Sequence, residues 1–331
     1  MILHPSILAL FISSLLICLM VLYSTAYGIQ ILRRWDIASG SELQLGLERR
    51  TYLISTIVGY FLAFQLVSLF LFIYTADSIC HLFVGAMCAV GTLTVNQFGY
   101  PTLVLKIINF LLAGLWLILN HADNQGFDYP LIRTKYRLLV VMAPIILAET
   151  TLQGIYFLGL RPDIITSCCG SLFSPASRGI ATEVINAPPL PMLTVFFLST
   201  SVTFASGLWF YLNGRGGALF AALSAVQFVV ALTAVISVIS LYVYQMPSHH
   251  CPFCILQGEY HYIGYPIYIA ILTAVTTGVG AGWLSHYRRI ASLQEALPGL
   301  QRNLTLTALV SLALLAAISA AYTLLTSLTL R

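Results

Sequence analysis

Eight long apolar segments constrain the fold of this chain more than any other feature of its sequence. Each is about 20 or more residues long, which is enough for an α-helix to cross a hydrocarbon layer roughly 30 Å thick. They lie near residues 7–32, 51–75, 101–121, 137–160, 192–212, 217–246, 258–285 and 303–328. Transmembrane β-strands show alternating segments of about ten residues, which these are not. The sequence therefore predicts an all-α integral membrane protein with about eight transmembrane helices.

The content of charged residues supports the same class. Only 8% of the 331 residues are charged, whereas charged residues make up about a quarter of a soluble domain. The net charge of +4 is concentrated in short hinges, so it indicates orientation in a membrane and not nucleic-acid binding. P-loop, dinucleotide and H-E-x-x-H motifs are absent from the sequence. We expect membrane lipid as the surroundings, no nucleic-acid partner, and chemistry confined to the membrane or its short loops.

A ninth apolar segment, 78–98, is interrupted by glycines and carries several polar residues. Short loops rich in Lys and Arg stay in the cytoplasm. If the segment does not cross the membrane, four groups of basic residues share that side, at 33–50, 133–137, 215 and 288–302. We therefore expect 78–98 to be re-entrant or to lie on the outer surface. Both termini are then outside, and the expected location is a bacterial inner membrane.

The first residues do not resemble a cleaved signal peptide, because no basic region precedes the first apolar run. Residues 1–32 are therefore expected to be a retained span.

This topology places six of the seven cysteines at the outer face and leaves Cys18 inside a span. The six are Cys80, Cys88, Cys168, Cys169, Cys251 and Cys254. Disulfides persist on that side of a membrane. Burial as a small hydrophobic residue is the simpler explanation for Cys18, but it does not explain paired cysteines in loops.

The strongest local motif is Cys251-Pro252-Phe253-Cys254. Two thiols separated by two residues can close and reopen a disulfide, and amides at a helix N-terminus stabilise a thiolate. We expect the motif to open a helix, with the first thiol exposed to attack. His249 and His250 are placed to assist electrostatically or to shuttle protons. A structural disulfide or half of a metal site are the alternatives.

Two further pairs of cysteines are candidates for redox chemistry. Cys168 and Cys169 are adjacent, so their Cα atoms lie about 3.8 Å apart, whereas relaxed disulfides prefer roughly 4.4–6.8 Å. A bond between them is strained and easily reduced, or one pairs elsewhere; vicinal thiols also suit metal capture. Cys80 and Cys88 would be about 12 Å apart along an ideal helix. They form an auxiliary redox pair only if the segment bends.

Two ionisable residues lie inside predicted spans. An intramembrane carboxylate is a functional-site hypothesis by default. Glu149 is therefore expected either to be protonated and hydrogen-bonded to Gln153 or to handle protons for a buried redox reaction. Lys106 lies one turn into its span, and we expect it to extend outward to the membrane surface. Glu259 and His261, close to Cys254, are candidates for a quinone headgroup site, although an aromatic belt explains most of the residues around them.

The order of the four spans from 137 to 285 resembles that of the vitamin K epoxide reductase family. A cysteine-bearing loop follows the first of these spans, and the C-x-x-C motif opens the fourth. The run Ser167–Ser174 is similar to that family's loop motif. The C-x-x-C motif followed by Gln257 is also similar to the quinone-linked disulfide formers of the bacterial DsbB family.

The resemblance implies a four-helix core over residues 131–290, an N-terminal transmembrane region over 1–130 and a C-terminal helix over 291–331. It implies that Cys254 faces a quinone and that Cys251 exchanges with a loop cysteine. In this scheme Cys168 or Cys169 takes electrons from a thioredoxin-like partner at the outer face. The residues implied for the quinone site are Gln257, Glu259, His261 and Glu149.

The leading prediction is a membrane thiol–disulfide oxidoreductase that passes electrons between outer-face cysteines and a quinone. One alternative is a soft-metal protein for copper, zinc or mercury, in which two imidazoles and two thiolates form the site. That set is His249, His250, Cys251 and Cys254. Another is a disulfide-stapled membrane subunit of a redox complex. We expect the additional spans to pack against membrane partner subunits.

Overall fold

The computed structural model of the chain describes residues 4–37, 39–166, 188–247 and 249–326. These ranges contain α-helices and short 3-10 turns, without β-strand. Ten α-helices lie in them: α1 Pro5–Arg34, α2 Glu42–Ser78, α3 Ala89–Leu93, α4 Gly99–Asp123, α5 Ile132–Leu158, α6 Pro189–Asn213, α7 Gly217–Ala234, α8 Ser240–Tyr244, α9 Gly264–Leu284 and α10 Ala296–Leu325. Cys168, Cys169 and the whole Ser167–Ser174 motif lie outside the described residues.

The predicted all-α membrane fold with eight spans is confirmed. Within the ranges given above, eight helical segments are long and apolar enough to cross a membrane. One of them, Gly217–Tyr244, joins α7 and α8 through a π-helical turn at Val235–Ile239. A π turn holds one more residue than the α-helical turn it replaces.

The seventh span begins later than predicted, at Gly264 instead of residue 258. Two short 3-10 turns, Cys254–Leu256 and Gly258–Tyr260, precede it. His261 and Tyr262 then adopt positive φ angles of 53° and 56°. Residues in this left-handed region cannot continue a right-handed helix, so the helix starts only after them.

Segment 78–98 does not form a spanning helix. After α2 the chain makes a 3-10 turn at Cys80–Leu82 and then the five-residue helix α3. Gly85, between them, has a φ of +86°, a conformation that glycine adopts at little energetic cost. Residues 83–98 are accordingly absent from the eight spans, as the charge distribution led us to expect.

The chain divides into two compact units. The first comprises Met1–Ile79, Thr92–Ile164 and Arg288–Leu297. Its long helices form a closed ring in which α1 packs against α2 and α5, and α4 packs against the same two helices. The core of the ring includes Trp116, Tyr136 and Leu139, all at most 1% exposed.

The second unit comprises Cys80–Gly91, Ile165–Tyr287 and Pro298–Arg331. Here α7 packs against both α6 and α9. Helix α10 joins them through the Gln301 Nε2 atom, which donates to the Ala281 carbonyl of α9 at 3.2 Å. A Cβ atom at Gly282 would meet the backbone of Gly217, so the glycine lets α7 and α9 approach closely.

The predicted ranges 1–130, 131–290 and 291–331 cut across these units. Helix α5 packs within the first unit, and most of α10 belongs to the second. The four-helix core over residues 131–290 stays a prediction.

Candidate thiol site

Three cysteines of the second unit bring their sulfur atoms together. The Sγ atoms of Cys88, Cys251 and Cys254 all lie within 4.8 Å of one another. Those of Cys88 and Cys251 are 3.7 Å apart, well beyond the S–S bond length of about 2.05 Å. The sulfurs are thus in contact without being at bonding distance. We call Cys88, Cys251 and Cys254 the thiol trio.

The loop that carries Cys88 is held by backbone contacts. The Val84 carbonyl accepts a hydrogen bond from the Thr166 backbone N–H at 2.9 Å. A Cβ atom at Gly85 would collide with the Thr166 carbonyl oxygen, so glycine is required there by space as well as by its positive φ. These contacts define the path of the chain that leads to Cys88.

A second contact ties the Cys88 loop to the C-x-x-C turn. The Gln257 side chain donates from Nε2 to the Met87 carbonyl at 3.0 Å. Met87 directly precedes Cys88, and Gln257 lies three residues after Cys254. The amide therefore links the two chain segments beside their thiols.

Two tyrosines brace the C-x-x-C turn. The Tyr244 phenol, at the end of α8, donates to the Cys251 carbonyl and accepts from the Ile255 N–H at 2.9 Å. The Tyr268 phenol, on α9, donates to the Pro252 carbonyl at 2.7 Å. Hydrogen bonds at both ends of the motif hold Cys251 and Cys254 in a defined arrangement. Neither tyrosine was identified from the sequence, because only the fold brings the phenols to the turn.

The exposure of the thiols is the reverse of the prediction. Cys88 and Cys251 are fully buried, whereas Cys254 is 8% exposed. The expectation that Cys251 is the exposed thiol is therefore wrong. The motif also does not open a long helix, because Cys254 starts a three-residue 3-10 turn and α9 begins ten residues later. Stabilisation of a thiolate by the N-terminus of a long helix is thus not available here.

The two histidines before the motif have other contacts. The His249 ring packs edge-on against Tyr244 with centroids 4.6 Å apart, and His250 Nδ1 lies 3.2 Å from the Ile236 carbonyl oxygen. Burial lowers the pKa of both imidazoles, although nearby Cys88 opposes this at His249. The neutral forms are therefore favoured near neutral pH, and these rings supply little positive charge to a thiolate.

The predicted metal set is also not assembled as expected. Among the described residues, the ligand atoms grouped with Cys251 and Cys254 come from Cys88 and not from His249 or His250. Cys80 is outside this group of three, and its predicted pairing with Cys88 stays a prediction. Cys18 is buried in the apolar core of the first unit, as expected for a small hydrophobic residue.

The residues implied for a quinone site are divided between the two units. Glu259 and His261 are exposed, and the Gln257 amide is engaged by Met87. Glu149 belongs to the first unit, where its carboxylate already has several partners. A quinone site at these four positions stays a prediction.

Glu149 is part of a buried polar network in the first unit. Its Oε1 atom pairs with Lys106 Nζ at 2.7 Å. Its Oε2 atom accepts from Gln65 Nε2 at 2.6 Å and from Asn109 Nδ2. Lys106 also donates to Ser68 Oγ at 2.7 Å. The carboxylate and the ammonium thus satisfy each other inside the helical ring, with amides and a hydroxyl around them.

The prediction for Lys106 and one of the two alternatives for Glu149 are wrong, whereas a role of Glu149 in proton handling stays a prediction. Lys106 is 1% exposed and does not extend to the membrane surface, because the interior face of α4 carries it towards Glu149. Gln153 does not bond to Glu149, since its Nε2 atom donates to Ser14 Oγ at 2.7 Å and to the Leu10 carbonyl at 3.1 Å. Both errors concern which face of a helix a residue occupies.

No protein-family model, curated protein or solved structure matches this chain. The resemblance to the vitamin K epoxide reductase and DsbB families therefore stays a prediction from short motifs.

Proposed function

We propose that this membrane protein is a thiol–disulfide oxidoreductase whose working thiols are Cys88, Cys251 and Cys254. The observation that carries the proposal is the 3.7 Å contact between Cys88 Sγ and Cys251 Sγ, beside a C-x-x-C pair. Thiol–disulfide exchange needs a thiolate next to a sulfur that is already in a disulfide. A third thiol beside two that can close a disulfide is the smallest set that meets this need within one protein.

The exposure of the sulfurs suggests the order of events. Cys254 is the least buried thiol of the trio, so its thiolate attacks a sulfur of a partner disulfide and forms a mixed disulfide, releasing one partner thiolate. The Cys251 thiolate then attacks Cys254 Sγ, which closes the Cys251–Cys254 bond and releases the second partner sulfur. The two cysteine protons end on the two partner thiols, and two electrons pass to the partner.

Cys88 completes the exchange inside the protein. Its thiolate attacks Cys251 Sγ, forms a Cys88–Cys251 disulfide and releases Cys254 as a thiolate that takes up the Cys88 proton. Each of these steps is reversible, and the relative reduction potentials set the direction. A thioredoxin-like protein supplies the right chemistry for the partner. A quinone acceptor is implied only by the resemblance.

Disulfide mapping of the full chain in its membrane tests this proposal. Membranes are oxidised with diamide or reduced with dithiothreitol, and the cysteines are followed by maleimide gel shift and mass spectrometry. In Cys254→Ser, oxidation should trap a Cys88–Cys251 disulfide; in Cys88→Ser, it should leave Cys251 bonded to Cys254.

Cys18→Ser is the matched control, because Cys18 is also a buried thiol but lies in the first unit. It should leave both bonds unchanged. The proposal is contradicted if Cys88 stays reduced in Cys254→Ser at every oxidant concentration, or if Cys88 bonds to another cysteine instead of Cys251.

A further inference from the structure

We infer that the thiol trio, when reduced, is a binding site for a soft monovalent cation, copper(I). The three sulfurs converge to within 4.8 Å. Two sulfurs that share one ion at about 2.3 Å are roughly 3.8 Å apart for a tetrahedral angle, and slightly further apart in a trigonal site. The 3.7 Å contact between Cys88 and Cys251 already has this spacing. Cys254 Sγ lies within 4.8 Å of the other two sulfurs, so it has to move by at most about 1 Å to reach this spacing.

The donor set selects the class of ion. All three grouped ligand atoms are thiol sulfurs, and their residues are buried, whereas hard cations such as Mg²⁺ and Ca²⁺ need oxygen ligands. Thiolates select soft ions such as copper(I) and zinc. Each thiol that coordinates as a thiolate releases one proton, and the oxidation state of the ion does not change on binding.

The number of ligands favours copper(I) over zinc. Structural zinc sites are almost always four-coordinate, and the described residues supply three grouped sulfurs. The nearest imidazoles have other contacts, since His250 lies against the Ile236 carbonyl and His249 against the Tyr244 ring. Three thiolates in a trigonal arrangement suit copper(I), so zinc would require a further ligand.

Binding of the ion also bears on the thiol chemistry. It would join Cys88 to Cys251, two positions 163 residues apart in the sequence, and occupy all three sulfurs. Copper(I) would therefore hold the trio reduced and protect it from disulfide-forming oxidants. This regulatory consequence rests on the proposed oxidoreductase function, whereas the binding itself does not.

Copper(I) competition under anaerobic conditions tests the inference. The parent is a full-length quadruple variant, Cys18→Ser/Cys80→Ser/Cys168→Ser/Cys169→Ser, which keeps only the trio. Reduced protein in detergent is titrated with copper(I) against bicinchoninate as the competing chelator. We expect one copper per chain, and a loss of affinity of at least about a hundredfold when Cys88→Ser is added, since even residues around a metal site change affinity by 10–100-fold.

Several results would overturn the inference. Unchanged copper affinity in the Cys88→Ser variant would assign the ion to the C-x-x-C pair alone, and stronger retention of zinc than of copper would remove the copper assignment. Cys254→Ser is the second test variant, and gel filtration and helical circular dichroism verify that each variant remains folded.

The same samples separate this inference from the proposed function. Disulfide formation between Cys88 and Cys251 is measured on metal-free protein, and copper retention on reduced protein. If exchange fails and copper is retained, the oxidoreductase proposal falls and the metal site stands; the opposite result removes only the metal site. Bound copper should also slow diamide oxidation of the trio, and an unchanged rate would remove the protective role.

Discussion

The Lys106–Glu149 pair of the first unit and the thiol trio of the second unit both place polar chemistry inside a helical bundle, but they stabilise it differently. In the first unit an ammonium lies 2.7 Å from a carboxylate, and side chains from α2 and α4 satisfy the remaining oxygen. In the second unit the grouped atoms are sulfurs of buried cysteines, which behave as small hydrophobic residues when protonated.

The difference lies in what each group can do after folding. Removing one ion of a buried pair leaves the other uncompensated, so the network is stable only when complete. Burial of a protonated thiol costs little free energy, and the thiol can still form or exchange disulfide bonds. The first arrangement therefore favours one fixed state, and the second allows several covalent states of the same fold.

The largest expected effect is on the ion pair. Lys106→Met leaves the Glu149 carboxylate buried without its cation, and we expect the free energy of unfolding to fall by about 3–5 kcal/mol. Unfolding in mixed detergent micelles, followed by circular dichroism, measures this. The double variant Lys106→Met/Glu149→Gln should recover most of the loss, because it buries no charge. Equal destabilisation of the single and double variants would show that the pair acts through packing and not through charge.

A smaller effect is expected at the loop that carries Cys88. Gly85→Ala places a Cβ atom against the Thr166 carbonyl and forces alanine to a φ of +86°, a strain of about 1–3 kcal/mol before the collision is counted. In a Cys254→Ser background, the rate at which the Cys88–Cys251 disulfide forms should fall by about tenfold. Gly40→Ala is the control, since a Cβ atom there meets nothing within 4 Å. An unchanged rate would mean that the loop does not position Cys88.

The next effect concerns the brace of the C-x-x-C turn. Tyr244→Phe removes the phenol that the Cys251 carbonyl and the Ile255 N–H bond to. Leaving a buried polar group without a partner costs about 1–3 kcal/mol of stability. The Cys251–Cys254 disulfide should become easier to reduce in a dithiothreitol titration, because the two sulfurs are held together less firmly. Tyr262→Phe, at an exposed residue of the same loop, should leave the midpoint unchanged. If Tyr244→Phe and Tyr262→Phe had the same reduction midpoint, the hydrogen bonds of Tyr244 would not be what holds the two sulfurs together.

The smallest effect is expected at Gln257, whose side chain links the C-x-x-C turn to the loop that carries Cys88. Gln257→Leu removes the hydrogen bond to the Met87 carbonyl, worth about 0.5–1.5 kcal/mol. In the Cys254→Ser background this should slow Cys88–Cys251 bond formation only a few-fold. Gln294→Leu, at an exposed position after α9, serves as the control. A loss as large as that of Gly85→Ala would show that the side-chain tether, and not the backbone path, positions Cys88.

The helices could be predicted because hydropathy reports the length of a span. Hydropathy does not report where the backbone conformation begins or ends a helix. The predicted start of α9 is therefore too early, because His261 and Tyr262 adopt left-handed conformations that their residue types do not predict. It could be predicted that residues 83–98 do not cross the membrane, because the basic residues on either side of this segment constrain the topology.

The candidate site was only half predictable. The C-x-x-C motif is a local pattern, but its meeting with Cys88 depends on tertiary packing across 163 residues, which no local periodicity encodes. Lys106 illustrates the same limit inside a span. Its depth favoured an outward extension, whereas the rotation of α4 directs it to Glu149.

In the span that contains the π turn at Val235–Ile239, the length of the helix and the face on which its residues lie respond differently to a deletion. Deleting one residue there, such as Ser237, would shorten a 28-residue span by one, and the bilayer would still be crossed. Because a π turn holds one residue more than an α-helical turn, this deletion would restore a regular α-helix and keep Tyr244 facing the C-x-x-C turn. A deletion within α7 would instead rotate the residues after it by about 100° around the helix axis and turn Tyr244 away. Proteins that share this span but differ by one residue within α7 would therefore insert alike and yet carry differently braced cysteines, a divergence invisible in a hydropathy profile.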